Sequence, residues 1–412
     1  MLTLADFFCG AGGSSTGAAQ VPGVQVSVAA NHWSRAIETH SLNHPGAEHI
    51  LADLSQIDPR VFPRTDLAWF SPSCTNHSAA RGRLSYDEAA ERSRATMWDV
   101  VRFSEHHAYD AVIVENVIDV CRWAPYRAWL DAMRSLGYLP HVVSLNSMHA
   151  DARGPAAAQS RDRFYAIFTR TPIDVAPSPY SWCPSCCAQV SGVQTWRRAD
   201  RDPMVAGRYG RQYDFTCPTC HGIVEPEVLP ALSIIDWSIP GQRIGDRPKP
   251  LAPATRARVA AGIAKYWGRG DTAFVAHLRG SAPTQIAGSH SPISDPMHTI
   301  AASGNHHALI MRNFTGGAEM TTPVSEPIRT ITAAAHQSLI TADDIEAAAR
   351  DVDDAYFRML EPAEAKNAMA FPAEYVLLGN RREQVKQAGN AVTPPAARDL
   401  VAAVVDTLGA AA

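Results

Sequence analysis

Over residues 1 to about 171, short apolar runs alternate with stretches whose hydrophobic positions recur at helical spacing. Residues 24–30, 67–70, 111–114, 139–145 and 164–168 read as strands, and residues 34–43, 86–107 and 126–136 as helices. Ahead of them, an apolar N-terminal run passes directly into Asp6-Phe7-Phe8-Cys9-Gly10-Ala11-Gly12-Gly13, a strand that ends in a glycine-rich turn. Strand and helix in alternation predict an α/β fold, a Rossmann-like doubly wound and mostly parallel sheet with helices on both faces. In such sheets ligands collect at the carboxyl ends of the strands, where the glycine turn lies.

The pattern changes after Thr171. Pro172, Pro177 and Pro179 open a stretch rich in proline, tryptophan and scattered arginine, which predicts a second, smaller, mostly β domain over residues 172–355. Inside it Pro292-Ile293-Ser294-Asp295-Pro296-Met297-His298-Thr299-Ile300 recurs as Pro323-Val324-Ser325-Glu326-Pro327-Ile328-Arg329-Thr330-Ile331. Each copy reads as a turn followed by a β-hairpin, placing two hairpin repeats at about 275–340. They are either a structural duplication or a pair of loops of which one touches a ligand. Residues 356–412 form a last segment, with an apolar helix predicted over 400–408 after Pro394-Pro395.

Composition adds bounds rather than an answer. A chain of 412 residues, 46% hydrophobic and 19% charged, has the makeup of a globular enzyme with room for two domains. The net charge of −4 rules out a wholly basic coat, so any nucleic-acid contact must come from local clusters. There is no export-type N-terminal segment and no apolar run of about 18 residues, so the reading is cytoplasmic with no membrane partner.

Four of the eight cysteines form two C-x-x-C pairs, Cys183/Cys186 and Cys217/Cys220, thirty residues apart. That is the spacing of a four-cysteine zinc ribbon, at about residues 180–222. Cys187 and His221 are adjacent, but four sulfurs already close a tetrahedron. With no position left for water, the Zn2+ is expected to be structural. Between the pairs, Arg197, Arg198, Arg201, Arg208 and Arg211 are interleaved with Trp196, Tyr209 and Tyr213, a mixture suited to phosphate and base contacts, although Asp200, Asp202 and Asp214 dilute the charge. A second cluster comprises Arg243, Arg247, Lys249, Arg256, Arg258 and Lys265.

The chemistry is carried by motifs in order. The glycine turn lacks the third glycine of a dinucleotide fingerprint, since Ser15 stands there, and no P-loop lysine follows, so a ligand without a pyrophosphate is favoured. Pro72-Ser73-Cys74 follows the run 67–70, Glu115-Asn116-Val117 ends the run 111–114, and Gln159-Ser160-Arg161-Asp162-Arg163 precedes 164–168. Far downstream stands Gln387-Ala388-Gly389-Asn390-Ala391-Val392-Thr393-Pro394. This series resembles the cytosine-5 DNA methyltransferase family, whose motifs occur in this order, and Arg358-Met359-Leu360-Glu361-Pro362-Ala363-Glu364 resembles its ninth motif. That last segment also reads as a capping turn before a helix.

The resemblance implies S-adenosyl-L-methionine as cofactor and double-stranded DNA as substrate. Cytosine C5 is a poor nucleophile, and Cys74 would activate it by adding to C6, with Glu115 sharing a proton with N3 and with Arg161 and Arg163 steadying base and nucleophile. It assigns Phe7, Gly10, Gly12, His32, Trp33, Asp53, Leu54, Pro72, Asn390 and Ala391 to the cofactor. The chain departs from the family in flanking Cys74 with Ser73 and Thr75, and in placing His32 where a glutamate normally holds the ribose; a histidine there still offers one hydrogen bond. The expectation is a DNA cytosine-5 methyltransferase that flips its base and acts as a monomer on DNA, either stand-alone or with a cognate restriction enzyme. The alternatives are a transfer-RNA cytosine-5 methyltransferase and a catalytically silent DNA-binding protein.

Overall fold

The computed structural model describes residues 1–72, 96–266, 271, 273–278, 285–286, 288–301, 306–311 and 352–410. In chain order the first domain contains β1 (Leu2–Phe7), α1 (Gly13–Ala18), β2 (Val24–Asn31), α2 (Ser34–Asn43), β3 (Glu48–Leu51), β4 (Leu67–Phe70), α3 (Met97–His107), β5 (Ala111–Asn116), α4 (Tyr126–Ser135), β6 (Leu139–Asn146), β7 (Gln159–Ser160) and β8 (Asp162–Thr169). Seven of these strands form one sheet in the order β3-β2-β1-β4-β5-β8-β6. The five strands from β3 to β5 are parallel; β8 enters antiparallel to both β5 and β6.

The apolar runs are continuous because both faces of the sheet are covered. Successive side chains point to opposite faces, so Phe7, Phe70, Val112 and Val114 join Val100, Phe103, Trp129 and Met133 of α3 and α4 on one side. Leu4, Trp69, Ile113 and Ile167 join Ala397, Leu400, Val401 and Val404 on the other. These last four belong to the C-terminal helix Pro394–Ala410, so the end of the chain does return to pack on the first domain. The short β3 has no apolar run to announce it, with Glu48 and Leu51 exposed.

The insert that follows holds β9 (Tyr180–Cys183) and β10 (Ala188–Ser191) as one antiparallel pair, and β11 (Val193–Trp196), β12 (Tyr213–Thr216) and β13 (Ile223–Val224) as a three-stranded sheet. A five-stranded sheet comes next, ordered β14-β19-β18-β15-β16, from β14 (Gln242–Arg243), β15 (Ala273–His277), β16 (His290–Pro292), β18 (His307–Met311) and β19 (Tyr356–Met359), with α5 (Pro253–Tyr266) packed on it. Among the described residues the first repeat copy does not pair with itself as a hairpin. There β16 pairs with β15, whereas β17 (Met297–His298) leaves to pair with β7 in the first domain. Met297 is fully buried, clustered with Ala158 of the first domain and with Ala231, Ile234 and Ile300 of the second. The second copy lies outside the described residues.

After β19 the chain continues as α6 (Pro362–Ala368), α7 (Arg381–Asn390) and α8 (Pro394–Ala410). The capping reading of Glu361 and Glu364 holds: their side chains form a reciprocal capping box at the start of α6. The same Glu364 pairs with Arg358 through two 2.7 Å contacts and is nearly unexposed. Among the described residues no helix is long and apolar enough to cross a membrane.

Candidate active site

β1 stands where the strand order reverses, with β2 and β3 built to one side and β4 and β5 to the other, so a crevice opens beyond its carboxyl end. The turn there carries positive φ at Phe8 (58°), Gly10 (53°) and Gly12 (86°). Gly12 must be glycine on two grounds: its left-handed backbone, and a Cβ that would meet the Tyr375 hydroxyl at 2.6 Å. Gly13 allows a still closer approach, since a Cβ would stand 1.9 Å from the carbonyl oxygen of Val392. The position of a Gly10 Cβ, by contrast, has nothing within 4 Å, so the turn is open on that side.

Beneath the turn lies a buried polar chain that motif reading missed. Asp6 Oδ2 accepts hydrogen bonds from Ser14 and Ser15, both at 2.6 Å; Ser15 Oγ lies 2.9 Å from His40 Nε2, and His40 Nδ1 lies 2.8 Å from His49 Nε2. Burial pushes the Asp6 carboxyl up to about 6 against the lowering effect of the two serines. It also holds His40 well below the usual imidazole range and brings His44 down to about 4.

The predicted cofactor residues range from buried to exposed positions. The Phe7 ring is fully buried, stacked on Phe70 at 4.7 Å, and belongs to the core; the half-buried ring at the turn is that of Phe8. Phe8 lies just beyond β1, where a φ of 58° turns the chain, and its ring packs against the same core cluster as Phe7. His32 is exposed after β2, and Trp33 caps α2 with the Lys386 ammonium 4.2 Å from its ring centroid. Asp53 is exposed and accepts from the Ser55 amide at 3.1 Å, while Leu54 is buried. Asn390 is exposed at the end of α7 and Ala391 is buried beside it.

At the ends of β4, β5 and β8 the expected catalytic groups divide. Cys74 lies outside the described residues. The chain toward it is followed to Pro72, whose carbonyl accepts from Asn116 Nδ2 at 3.3 Å, with Asn116 itself fully buried. Glu115 and Arg163 come together, Oε1 to Nε at 2.8 Å, both nearly buried. Arg161 does not join them. Its guanidinium donates to the carbonyls of Ile300, Gly389 and Ala391, binding the second domain and the C-terminal segment to the first. Of the described cysteines in this domain, burial pushes the thiols of both Cys9 and Cys121 up, which disfavours the nucleophilic thiolate.

The four cysteines of the insert converge as expected, with all sulfurs within 4.8 Å of one another, Cys183 to Cys220 at 3.5 Å and Cys186 to Cys217 at 3.8 Å. Four thiolates at ~2.3 Å from a tetrahedral zinc stand roughly 3.8 Å apart, so the cluster fits the ion. Cys217 is drawn down to about 6, first by the Cys220 backbone amide, while Cys186 is pushed up to about 12 by its sulfur neighbours. A cation would remove that conflict. Cys187 and His221, each next in chain to the second cysteine of a pair, take the left-handed turn conformation (φ 50° and 58°) rather than joining the cluster.

A cleft of about 470 Å3 lies beside the Glu115–Arg163 pair, with Arg163, Asp119 and Ser160 from the first domain, Tyr209 and Arg211 from the insert and His298 from the repeat among its walls. The first repeat copy thus does reach the cleft, and Thr299 Oγ1 donates to the Ser160 carbonyl at 2.9 Å. In the second basic cluster Arg243 pairs with Asp246 and Asp354, and Arg256 with Asp353.

The family model for C-5 cytosine-specific DNA methylase matches residues 2–182 and 286–406, most of the chain, and the unmatched interval contains all four clustered cysteines. Among solved structures, the chain is similar to a DNMT2 mutant from Spodoptera frugiperda (14% identity, TM-score 0.56, covering 98% of this chain and 100% of that one). It is also similar to a putative DNA modification methyltransferase encoded within an E. coli prophage (15%, 0.51, 99% and 100%) and to the Dnmt2 methyltransferase of S. pombe (12%, 0.54, 99% of each). At such identities the likeness is one of fold. No curated protein matches the sequence. Glycine turn, paired Glu115 and Arg163, and returning C-terminal segment all fall within the matched residues, and the chain belongs to the C-5 cytosine-specific DNA methylase family.

Proposed function

We propose that this protein is a DNA cytosine-5 methyltransferase that uses S-adenosylmethionine and a transient covalent bond from Cys74 to C6 of an extruded cytosine. The observation that carries the reading is the nearly buried Glu115–Arg163 pair: Arg163 lines the cleft, and Glu115 is next in chain to Asn116, which holds the Pro72 carbonyl two residues before Cys74. Arg163 fixes the carboxyl group so that it can share a proton with N3 of a pyrimidine ring. Asn116, by holding the Pro72 carbonyl, sets where the following residues start. The Cys74 thiolate adds to C6, electron density moves to C5 and N3 takes up charge as Glu115 delivers the proton. After C5 has been alkylated it loses its proton, and the C6–sulfur bond breaks to free the thiolate.

The cofactor fits the crevice at the glycine turn, where the space above Gly10 is open and no phosphate-binding lysine intrudes. Phe8, Gly10, Gly12, Trp33, Asp53, Leu54 and Asn390 would hold it, with His32 reaching a ribose hydroxyl. When bound it supplies an electrophilic methyl group. In the insert, Cys183, Cys186, Cys217 and Cys220 would hold a structural zinc.

DNA is favoured over RNA as substrate by the size of the second domain and by the repeat and insert residues that flank the cleft. Labelled methyl transfer to duplex DNA and to transfer RNA tests this, with bisulfite sequencing of DNA from expressing cells to identify the target. Transfer to RNA alone would overturn the substrate, and a protein that binds duplex without transferring methyl would overturn the activity. For His32, calorimetric titration of His32→Glu should show changed cofactor affinity; an identical affinity from pH 6 to pH 8 would remove that residue from the site.

A further inference from the structure

The four-cysteine insert makes contact where the chemistry is expected. Arg208 Nη2 pairs with Asp119 at 2.8 Å, and the Tyr209 amide donates to Asp162 Oδ1 at 3.2 Å. Asp119 lies four residues beyond Glu115, and Asp162 is next to Arg163, so the insert is joined to both segments that carry the catalytic pair. The docking is also apolar: the buried His149 ring meets Tyr209 edge-on at 4.5 Å and Phe215 at 5.2 Å.

The arginines of the insert are not equivalent. Arg197 and Arg198 are exposed and paired with Asp214 and Asp200, and Arg201 lies 3.6 Å over the Trp196 ring. Arg208 is committed to Asp119. Arg211 is exposed, lines the cleft, and makes no ion pair with any described residue. Its positive charge therefore remains available to a ligand. Guanidinium groups in this state suit phosphate oxygens, and a half-buried tyrosine such as Tyr209 offers a ring to a nucleotide.

We propose that the insert forms one wall of the base-receiving cleft itself, with Arg211 contacting a phosphate of the DNA strand next to the extruded cytosine and Tyr209 lining the wall behind it. This rests on the reading of the cleft as the site of an extruded cytosine. It assigns the unmatched interval of the chain a place at the reaction centre rather than only on flanking duplex.

The experiment compares wild type, Arg211→Ala and Arg198→Ala, measuring duplex DNA affinity against salt by fluorescence anisotropy, and KM and kcat by labelled methyl transfer. Arg211→Ala should raise Kd and the KM for DNA roughly tenfold and lower the salt slope by about one ion, with the cofactor KM unchanged. Arg198→Ala should match wild type. If wild type methylates DNA while Arg211→Ala keeps wild-type affinity and salt slope, the wall assignment falls and the enzymatic reading stands. If wild type binds DNA without methylating it while Arg211→Ala still weakens binding as described, the contact stands and the activity falls. Wild type that neither binds nor methylates DNA overturns both.

Discussion

Asp6→Asn isolates the buried polar chain under the glycine turn. The Asp6 carboxyl is fully buried and raised to about 6 from an ordinary 3.8, with burial as the main cause. A raised acid favours the folded state in its protonated form: its contribution is complete below pH 3.8 and is lost as the pH rises through about 6. A shift of this size corresponds to about 3 kcal/mol, of which about 2 kcal/mol falls between pH 4.5 and pH 7.5. Asparagine does not titrate, so the variant lacks this loss. Any cost of presenting an amide to Ser14 and Ser15 is independent of pH and cancels from the slope. Urea unfolding of both proteins across that window should therefore show the wild type losing about 2 kcal/mol more than the variant as the pH rises. A difference that stays level over the range would mean that Asp6 is not held in the dry site described.

Glu115→Gln should reduce kcat by 10²–10⁴, an order-of-magnitude range for lost proton transfer, with cofactor affinity by calorimetry within about twofold of wild type; near-normal turnover would exclude Glu115 as proton donor. Cys217→Ser should lose zinc by elemental analysis and weaken DNA binding while still binding S-adenosylmethionine, because the sulfurs belong to the insert's own small core rather than to that of the sheet; retained stoichiometric zinc would contradict the four-sulfur site. Gly13→Ala places a Cβ 1.9 Å from the Val392 carbonyl and should cost roughly 1–3 kcal/mol, visible as a lower melting temperature. An unaltered melting curve would mean that the C-terminal segment does not pack on α1 as described.

By itself, the sequence determined whatever depends on local order. Residues 34–43 and 67–70 are a helix and a strand with the ends read from pattern, because their apolar positions serve a sheet covered on both faces. The two C-x-x-C pairs specified a cluster of four sulfurs, because ligand spacing within each knuckle is a property of a four-residue turn. The motif order specified the family, which the match over most of the chain bears out.

Tertiary structure decided what depends on the turn of the backbone, pairing and contact between distant segments. Phe7 and Phe8 are adjacent and chemically identical, yet Phe7 ends the strand fully buried while Phe8, at φ 58°, opens the turn and stays half-buried against the same core cluster. Arg161 and Arg163 lie on the same motif, and only packing directs one to the carbonyls of the C-terminal segment and the other to Glu115. Met297 pairs with Gln159 of the first domain, a partner far away in the chain that its own repeat does not name. Arg211 differs from its neighbouring arginines for the same reason. Each charge is neutralised or left available according to what the fold sets beside it, a quantity that chain order does not encode.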